Sequence, residues 1–500
     1  MGAGSAALVG TGAFAQQAKN PNVIVIMADD IGYGDLSCNG EKTISTPNVE
    51  KLASQGVRFT DAHSAAATST PSRYSFLTGH YNWRRGDTHI ADGDAGMIIR
   101  PEQYTVADLF KESGYKTGAI GKWHLGLGDK KGSQNWNGVI TPGLKDIGFD
   151  YSYIMAATAD RVPCVWVEDM KVVNLDANDS IFVSYVKNFE GEPTGKNNPE
   201  LLYRQKPSHG HDQSIVNGIS RIGYMKGGKN ALWEDQFIAD SITNHAIDFI
   251  DENKDNPFFL YLATNDIHVP RVPHPRFEGK SGMGVRGDAL LEFDWTVGKV
   301  LETLDRLNLT ENTIIILTSD NGPVVDDGYQ DLAVELLGKH RPWGEFRGGK
   351  YSNFEAGTRI PFIVSWKGVT KGTVSNALVA QIDFMGSMAA MLGKELPNST
   401  CIDTQNQLKS WLGKDKKGRD YVVESAQSLS ISDGKWKFIR PNNGAKMNKF
   451  TNTELGNDKT PQLYNIKKDR NEKVNLYDKN KKKADELNAL LEAEKSKTQK

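Results

Sequence analysis

The 500-residue chain contains 38% hydrophobic and 24% charged residues, a composition typical of soluble globular proteins rather than of disordered or membrane proteins. Its 60 Lys and Arg against 62 Asp and Glu leave a net charge of −2, which argues against nucleic acid or an acidic membrane surface as a partner, although a local patch can still be strongly basic. The length accommodates roughly two to four domains, or one large α/β domain with an appendage.

The N-terminal segment differs in composition from the rest of the chain. Residues 2–15 contain no charge and end in Ala13-Phe14-Ala15, which resembles the A-x-A cleavage site of a secretory signal peptide. The basic residues that begin such peptides are missing, so an ordinary flexible N-terminus remains the alternative. No other stretch approaches the ~18 apolar residues of a membrane span. We therefore predict a signal-peptide remnant over residues 1–15 and an exported, periplasmic protein without a membrane span.

Four apolar runs rich in β-branched residues end abruptly in polar residues. They are Asn22–Met27, Tyr115–Ile120, Phe258–Ala263 and Thr313–Thr318. Continuous apolar runs are typical of strands that are buried on both faces. Helical patterns lie between them, at Asn48–Gln55, Thr105–Ser113, Trp233–Asn253 and Ala289–Leu307. This alternation predicts an α/β fold in which a large, mostly parallel sheet is sandwiched by helices.

The pattern changes near residue 375. Short strands are indicated at Trp436–Ile439 and Gln462–Ile466, with polar loops between them, and a charged helix is indicated near Lys483–Lys495. We predict a large α/β domain over residues 16–375 and a smaller α+β subdomain over residues 376–500.

Polar clusters follow the predicted strands, and ligands bind at the carboxyl ends of the strands in doubly wound sheets. Asp29-Asp30 and Asp320-Asn321 supply four oxygen-bearing side chains from two strand ends. Hard oxygen ligands suit Ca²⁺ or Mg²⁺ better than zinc or copper. A single pair of this kind is more typical of a polar loop or a helix cap, but its repetition at two strand ends favours a metal site.

The segment Ser69-Thr70-Pro71-Ser72-Arg73, followed by Leu77-Thr78-Gly79, indicates a helix that begins near Pro71. Ser69 would then lie at the positive end of the helix, facing backbone N–H groups and Arg73, where an anion can bind. By its chemistry alone, this serine is equally typical of an ordinary helix cap.

The same segment resembles the signature of type I sulfatases, in which a Cys or Ser is oxidised to formylglycine. Further motifs agree with that family in order. They are Asp29-Asp30, Gly121-Lys122-Trp123-His124-Leu125-Gly126, His268 in His-Val-Pro, Asp320-Asn321-Gly322, Lys350 in Gly-Gly-Lys-Tyr-Ser, and a C-terminal Leu463-Tyr464-Asn465. The resemblance covers roughly residues 20–370 and implies an alkaline-phosphatase-like fold and a sulfuric ester hydrolase.

The resemblance also implies a role for each matching residue. The metal ligands would be Asp29, Asp30, Asp320, Asn321 and residue 69, holding Ca²⁺, with Mg²⁺ as a possibility. The catalytic residues would be Ser69 as formylglycine, Arg73, Lys122, His124, His268 and Lys350. His268 would protonate the leaving sugar oxygen beside Lys350, and His124 would help to regenerate the aldehyde. A serine rather than a cysteine at position 69 implies a sulfatase-maturing radical S-adenosylmethionine enzyme as a partner, and a Cys-to-Ser change remains the alternative.

Long loops outside the strands carry the candidate substrate contacts. Asp160 and Arg161 lie in one loop and His211 in another, while Arg271 follows His268 by three residues. A carboxylate beside an arginine suits contacts with sugar hydroxyls, and a structural ion pair is the alternative. The loop pattern resembles bacterial N-acetylgalactosamine-6-sulfatases and galactose-6-sulfatases, which implies a 6-O-sulfated galactose or N-acetylgalactosamine glycan as substrate.

Two other functions remain open at this point. One is a phosphomonoester or phosphonate hydrolase of the same superfamily, although no additional set of zinc ligands is evident in the sequence. The other is a non-catalytic protein that binds sulfated glycans, which the full set of cationic residues disfavours.

Overall fold

The computed structural model describes residues 20–397 and 400–497. The predicted signal-peptide remnant at residues 1–15 lies outside the described residues. Of the described helices, none combines the length and the apolar character needed to cross a membrane.

The described chain alternates strands and helices for most of its length. The strands are β1 (Asn22–Ala28), β2 (Val57–Phe59), β3 (Ala62–His63), β4 (Lys116–Lys122), β5 (Tyr151–Met155), β6 (Trp166–Glu168), β7 (Lys171–Val172), β8 (Phe182–Ser184), β9 (Ile215–Val216), β10 (Ile219–Ser220), β11 (Tyr224–Lys226), β12 (Phe258–Ala263), β13 (Thr313–Ser319), β14 (Phe362–Trp366), β15 (Thr373–Ser375), β16 (Val379–Ala380), β17 (Val422–Ser425), β18 (Leu429–Ser432), β19 (Lys437–Ile439), β20 (Met447–Asn448), β21 (Thr453–Glu454) and β22 (Gln462–Tyr464). The α-helices are α1 (Pro47–Gln55), α2 (Ser69–Thr78), α3 (Val106–Glu112), α4 (Ile238–Glu252), α5 (Gly284–Arg306), α6 (Phe384–Leu392), α7 (Leu408–Trp411) and α8 (Lys481–Ser496).

A ten-stranded sheet with the order β15-β2-β14-β13-β1-β12-β4-β5-β6-β7 forms the centre of the molecule. The five strands from β13 to β5 are mutually parallel, as predicted for buried apolar runs. Antiparallel pairs occur toward the edges, between β13 and β14, β14 and β2, β5 and β6, and β6 and β7. The α/β class is confirmed, with a mixed sheet whose parallel strands occupy its middle.

Helices cover both faces of this sheet. Successive strand residues point to opposite faces, and Phe258 and Phe259 of β12 show where each face packs. Phe258 contacts Phe249 of α4 with ring centroids 5.9 Å apart, whereas Phe259 stacks on Phe110 of α3 at 4.3 Å and lies 5.8 Å from Phe384 of α6. The predicted helix–sheet–helix sandwich is therefore present.

The C-terminal region contains a four-stranded antiparallel sheet with the order β17-β18-β19-β22. Helix α8 covers this sheet through Leu487 and Leu491, which are fully buried in the same hydrophobic cluster as Ile431. The division predicted at residue 375 stays a prediction. Residues beyond it, among them Phe384 and Trp411, belong to the large core.

Candidate active site

The functional candidates meet at the carboxyl edge of the parallel strands. Asp29 and Asp30 follow β1, Lys122 ends β4, His268 lies in the loop after β12, and Asp320 follows β13. All five residues are buried. Parallel neighbours bring their carboxyl ends to the same edge of a sheet, so positions that are distant in sequence form one site.

Helix α2 brings Ser69 and Arg73 to the same site. Ser69 is the first residue of the helix, and Pro71 is the third rather than the first, a position in the opening turn where no backbone N–H is needed. Residues four apart lie on one face of a helix. Arg73 Nε donates to Ser69 Oγ at 2.8 Å, and its guanidinium donates to Asp320 Oδ2 at 2.9 Å. Arg73 therefore orients the serine oxygen toward the carboxylates.

Each carboxylate of the site has a cationic partner. Lys122 Nζ lies 2.6 Å from Asp29 Oδ2, and both side chains are inaccessible to solvent. Lys350 Nζ lies 2.9 Å from Asp30 Oδ2. Together with the contact between Arg73 and Asp320, these pairs form an alternating arrangement of charges at the edge of the sheet.

The buried charges shift one another's pKa values in opposite directions. Burial raises the pKa of Asp29 well above its usual range, and the charge of Lys122 only partly offsets this effect. Burial also opposes ionisation of Asp320, but Arg73 and Lys122 outweigh it and hold the pKa of Asp320 below its usual value. Burial lowers the pKa of Lys122. The site therefore holds charge at a high electrostatic cost, and burial opposes the ionisation of Asp29 although Lys122 and Arg73 lie beside it.

Two oxygen atoms in the site fit a divalent cation. Asp29 Oδ1 and Asn321 Oδ1 are buried and have no hydrogen-bond partner among the described residues. Asn321 Nδ2 donates to Asp30 Oδ1 at 2.8 Å, so its oxygen is turned away from that carboxylate. Donor atoms of Asp29, Asp30 and His268 lie within 4.8 Å of one another. Unpartnered hard oxygens beside carboxylates are what Ca²⁺ or Mg²⁺ requires.

A second group of possible ligand atoms does not share this character. His63, Glu355 and Glu424 also lie close together. Lys437 Nζ, however, lies 3.1 Å from Glu355 and 2.8 Å from Glu424, so a cation is already present there. We interpret this group as a structural charge network.

The two candidate histidines are uncharged near neutral pH. Burial and the charges of Lys350 and Lys122 lower the pKa of His268 to about 4. Its Nδ1 lies 2.7 Å from the carbonyl oxygen of Val269, which fixes the proton on Nδ1 and leaves Nε2 as an acceptor. His124 Nε2 lies 3.0 Å from the carbonyl oxygen of Ala91, and burial holds the pKa of His124 well below its usual value. Both rings therefore present an unprotonated nitrogen.

Three of the four predicted sugar contacts form a second cluster. Asp160 pairs with Arg161 at 3.1 Å and with His211 Nε2 at 2.9 Å. The side chains of Arg161 and His211 are 14% and 11% exposed, so each can reach a ligand. The charge of Arg161 contributes to the lowered pKa of His124, and His268 contributes to the lowered pKa of Asp160. The cluster therefore borders the charged site.

Arg271 lies elsewhere. Its side chain is inaccessible to solvent and pairs with Asp331 at 2.7 Å. The guanidinium also donates to the carbonyl oxygens of Ile267 and Val325, both at 2.9 Å. These contacts hold a loop in place and favour a structural role for this arginine over the predicted sugar contact.

Asp327 and Gln381 belong to the site but were not among the residues predicted from the sequence. Asp327 Oδ2 lies 2.8 Å from Lys350 Nζ, and Tyr351 donates to the same carboxylate at 3.0 Å. Asp327 lies in the loop that follows β13 and the Asp320-Asn321 pair, and this position is the signal in the sequence that could have marked it. Gln381 donates to Thr318 Oγ1 at 2.7 Å and to the carbonyl oxygen of Ser319 at 2.6 Å, thereby supporting the end of β13, and no sequence pattern marked it.

Comparisons with known proteins agree with this geometry. The family model described as Sulfatase matches residues 21–394. N-acetylgalactosamine-6-O-sulfatase of Bacteroides thetaiotaomicron is 53% identical over 483 residues, which cover 96% of this chain and 94% of that protein. A solved Bacteroides thetaiotaomicron protein named 6S-sulf, from work on glycosaminoglycan metabolism, has a TM-score of 0.94 at 53% identity and covers 96% of this chain and 100% of that chain. The phosphonate monoester hydrolase of Agrobacterium radiobacter shares the fold alone, with a TM-score of 0.58 at 16% identity over 95% of this chain and 94% of that chain.

Proposed function

The chain belongs to the sulfatase family, and from that membership we propose that it removes 6-O-sulfate from galactose or N-acetylgalactosamine residues of sulfated glycans. It is a sulfuric ester hydrolase that acts on a glycan sulfate. The sugar, the position of the sulfate, the metal and the modified residue are the parts of this proposal that need tests.

The charge balance of the site is the observation that carries the proposal. Its ionisable side chains are the carboxylates of Asp29, Asp30, Asp320 and Asp327 and the cations of Arg73, Lys122 and Lys350. Four negative and three positive charges leave a net charge of −1 when all are ionised, with both histidines neutral. Such a site repels a sulfate monoester, which carries about one negative charge. A divalent cation at the unpartnered oxygens reverses the sign to +1, so sulfate binding and cation binding depend on each other.

The residues that would hold the cation are Asp29, Asp30, Asp320 and Asn321, together with residue 69. A bound Ca²⁺ supplies Lewis-acid polarisation and charge neutralisation. Arg73 holds the oxygen of residue 69 in place through its 2.8 Å hydrogen bond. Arg73, Lys122 and Lys350 also offer N–H donors to the sulfate oxygens, where negative charge develops during transfer.

A serine hydroxyl is a weak nucleophile at neutral pH. Oxidation of Ser69 to formylglycine would supply a hydrated aldehyde as the stronger nucleophile. The motif around Ser69 and the family membership support this modification, and with it a radical S-adenosylmethionine enzyme as the maturing partner. The A-x-A sequence at residues 13–15 supports export to the periplasm.

We assign a proton-transfer role to each of the two histidines. Nε2 of His268 is the acceptor nitrogen beside Asp30, at 3.9 Å from Oδ2, and Lys350 lies on the same carboxylate. A bound sulfate anion raises the affinity of Nε2 for a proton, which His268 then delivers to the leaving sugar oxygen. His124, whose Nδ1 is buried without a partner among the described residues, is the base we assign to regeneration of residue 69.

The name of the 53% identical relative supports N-acetylgalactosamine 6-O-sulfate as the substrate. The cluster of Asp160, Arg161 and His211 supports a sugar site next to the sulfate site, because a carboxylate and two nitrogen donors suit vicinal hydroxyls and an acetamido group.

Peptide mass spectrometry across Ser69, on protein from its native host, tests the modification. Loss of two hydrogen atoms is the expected result, and fully active enzyme with an unmodified serine would contradict it. The matched variant Ser69→Ala should retain glycan binding without turnover.

Sulfate release from position-defined sugars tests the substrate. We expect turnover of 6-O-sulfated galactose or N-acetylgalactosamine, and turnover confined to 4-O- or 2-O-sulfated sugars would overturn the choice. Phosphate and phosphonate monoesters in the same assay test the alternative hydrolase. Binding of sulfated sugar by wild-type, formylglycine-bearing protein without any sulfate release would instead support the non-catalytic alternative.

A further inference from the structure

We propose that the protein has a second binding site for sulfated glycan chains, in a cleft between the C-terminal sheet and the edge of the large sheet. The inference extends the proposed function, because it assumes that the substrate is polyanionic. We call this site the basic cleft and define it by Lys416, Lys435, Lys467 and Arg470 around a floor that includes Phe346 and Ile466. Its cavity has a volume of about 340 Å³. None of the proposed catalytic residues lines it.

Among the described residues, three of the four cations that define the basic cleft have no ion-pair partner, and the fourth has one. Lys416, Lys435 and Lys467 are exposed, and none of them forms an ion pair with a described residue. Arg470 has a single contact of this kind, 3.6 Å to Glu345, whose side chain is 74% exposed. An exposed pair of this length contributes little. Four positive charges from three separate chain segments therefore remain available to a ligand.

Each acidic residue of the same cleft has a cationic partner of its own. Asp420 pairs with Lys417 at 2.7 Å, and Asp433 pairs with Lys483 at 2.8 Å. Asp61 is bound by both Arg359 and His63. The local potential is consequently positive, although the whole chain carries a net charge of −2.

A small part of the floor of the cleft is apolar. Phe346 is 3% exposed, and Leu378 and Ile466 are each 4% exposed. A sugar ring has apolar C–H faces and carries its sulfate and carboxylate groups at its edge. A small apolar floor with cations at the rim fits that chemistry, and ligand pockets of ~300 Å³ or more are large enough for such a ring.

Binding at two places on one chain raises the effective concentration of substrate at the catalytic site. A polysaccharide anchored in the basic cleft therefore binds more tightly overall, while the chemical step at residue 69 is unchanged. A monosaccharide substrate cannot reach both places. The expected signature is a KM effect that depends on chain length.

The test is the triple variant Lys416→Gln, Lys435→Gln and Lys467→Gln. These side chains make no ion pair with described residues, so the variant should fold like the wild type. A matched control replaces Lys116, Lys254 and Lys371 by Gln, which removes the same charge. Lys116 begins β4, Lys254 precedes β12 and Lys371 follows β14; all three are exposed and none of them lines the basic cleft. Kinetics are measured on a 6-O-sulfated monosaccharide and on a 6-O-sulfated glycosaminoglycan polymer.

The expected result is a rise in polymer KM of about tenfold in the cleft variant, with kcat and monosaccharide turnover unchanged and with the control triple like the wild type. An equal change in both triples, or none in either, overturns the inference. Isothermal titration in the Ser69→Ala background, with the polymer, with unsulfated hyaluronan and with inorganic sulfate, identifies the ligand. Equal binding of hyaluronan and the sulfated polymer would indicate a site for polyanions in general and would overturn the proposal. Binding of inorganic sulfate alone would also overturn it.

Failure of the proposed function would look different. A wild-type protein that binds the polymer through the basic cleft, yet releases no sulfate from any 6-O-sulfated sugar, would contradict the proposed function and leave this site in place.

Discussion

Replacement of Lys122 by Met provides the sharpest test of the active-site electrostatics. Lys122 Nζ and Asp29 Oδ2 are 2.6 Å apart, and neither side chain is accessible to solvent. At an effective dielectric constant of about 20, their attraction is roughly 6 kcal/mol before desolvation is counted. Removing one partner of a buried pair lowers the free energy of unfolding by about 3–5 kcal/mol, because the other charge stays buried and unpaired. Methionine retains most of the apolar stem, so the change isolates the charge.

A divalent cation should reduce this loss. Asp29 Oδ1 has no hydrogen-bond partner among the described residues, so a cation can bind there. In Lys122→Met the carboxylate of Asp29 loses its nearest cationic partner, and the bound cation would neutralise it instead. Binding to the folded state alone stabilises a protein by about 2.7 kcal/mol at a ligand concentration 100 times Kd. The variant also lacks the repulsion between Lys122 and the cation, so it should gain at least about 1 kcal/mol more from Ca²⁺ than the wild type does.

Urea unfolding with EDTA and with millimolar Ca²⁺, on wild type and variant, measures all four free energies. Lys299→Met is the matched control, because Lys299 and Glu302 form a pair at 2.7 Å with side chains 38% and 66% exposed. This control should change stability by less than about 1 kcal/mol. A loss below about 1 kcal/mol for Lys122→Met in EDTA, or equal stabilisation of both proteins by Ca²⁺, would refute the reasoning.

Three further predictions concern other parts of the chain. The carboxylate partners of His63 outweigh burial and raise its pKa from 6.5 to about 9. Protonated His63 therefore stabilises the fold by about 3 kcal/mol below pH 6.5, and this contribution is lost as the pH rises through 9. The stability difference between wild type and His63→Gln should therefore shrink over that window in urea titrations, and a constant difference would contradict the assignment. His211→Ala removes a contact of Asp160 and should raise the KM for the sulfated sugar about tenfold. Its loss of stability should be smaller than that of Arg271→Met, because Asp160 keeps Arg161 as a partner. Arg271→Met should instead lower the free energy of unfolding by about 3–5 kcal/mol, because Asp331 is left buried, whereas a KM effect without loss of stability would indicate a sugar contact.

The central strands could be predicted because each is buried on both faces. The runs Asn22–Met27, Phe258–Ala263 and Thr313–Thr318 lie within one residue of the observed strands. The edge strands could not, since β7 and β15 have two and three residues, too short for any periodicity. Helix α4 begins at Ile238 rather than Trp233, because a 3₁₀ turn at Asp235–Phe237 continues the apolar spacing without continuing the helix.

Site residues could be predicted where they lie in a sequence motif. They could not be predicted where only the tertiary fold brings them to the site. Lys350 and Asp30 lie in recognisable motifs. Lys350 also pairs with the carboxylate of Asp327, and nothing in the sequence distinguishes Asp327 from its neighbour Asp326. Arg271 illustrates the opposite case, in which sequence position and tertiary contacts point to different roles. Its position after His268 suggested a ligand contact, although burial and an ion pair with Asp331 account for it.

The C-terminal sheet contacts the segment that carries Lys350 through a buried ion pair. Lys437 on β19 is inaccessible to solvent and lies 3.1 Å from Glu355 and 2.8 Å from Glu424. Glu355 is five residues beyond Lys350, in the segment that returns to the large sheet. Buried pairs of this kind contribute little net stability, but breaking one leaves a buried charge unpaired. A chain that ended before β17 would lose the contact between Lys437 and Glu355 and leave that carboxylate to Arg359 and the nearby His63, so the segment that carries Lys350 would lose one of its braces.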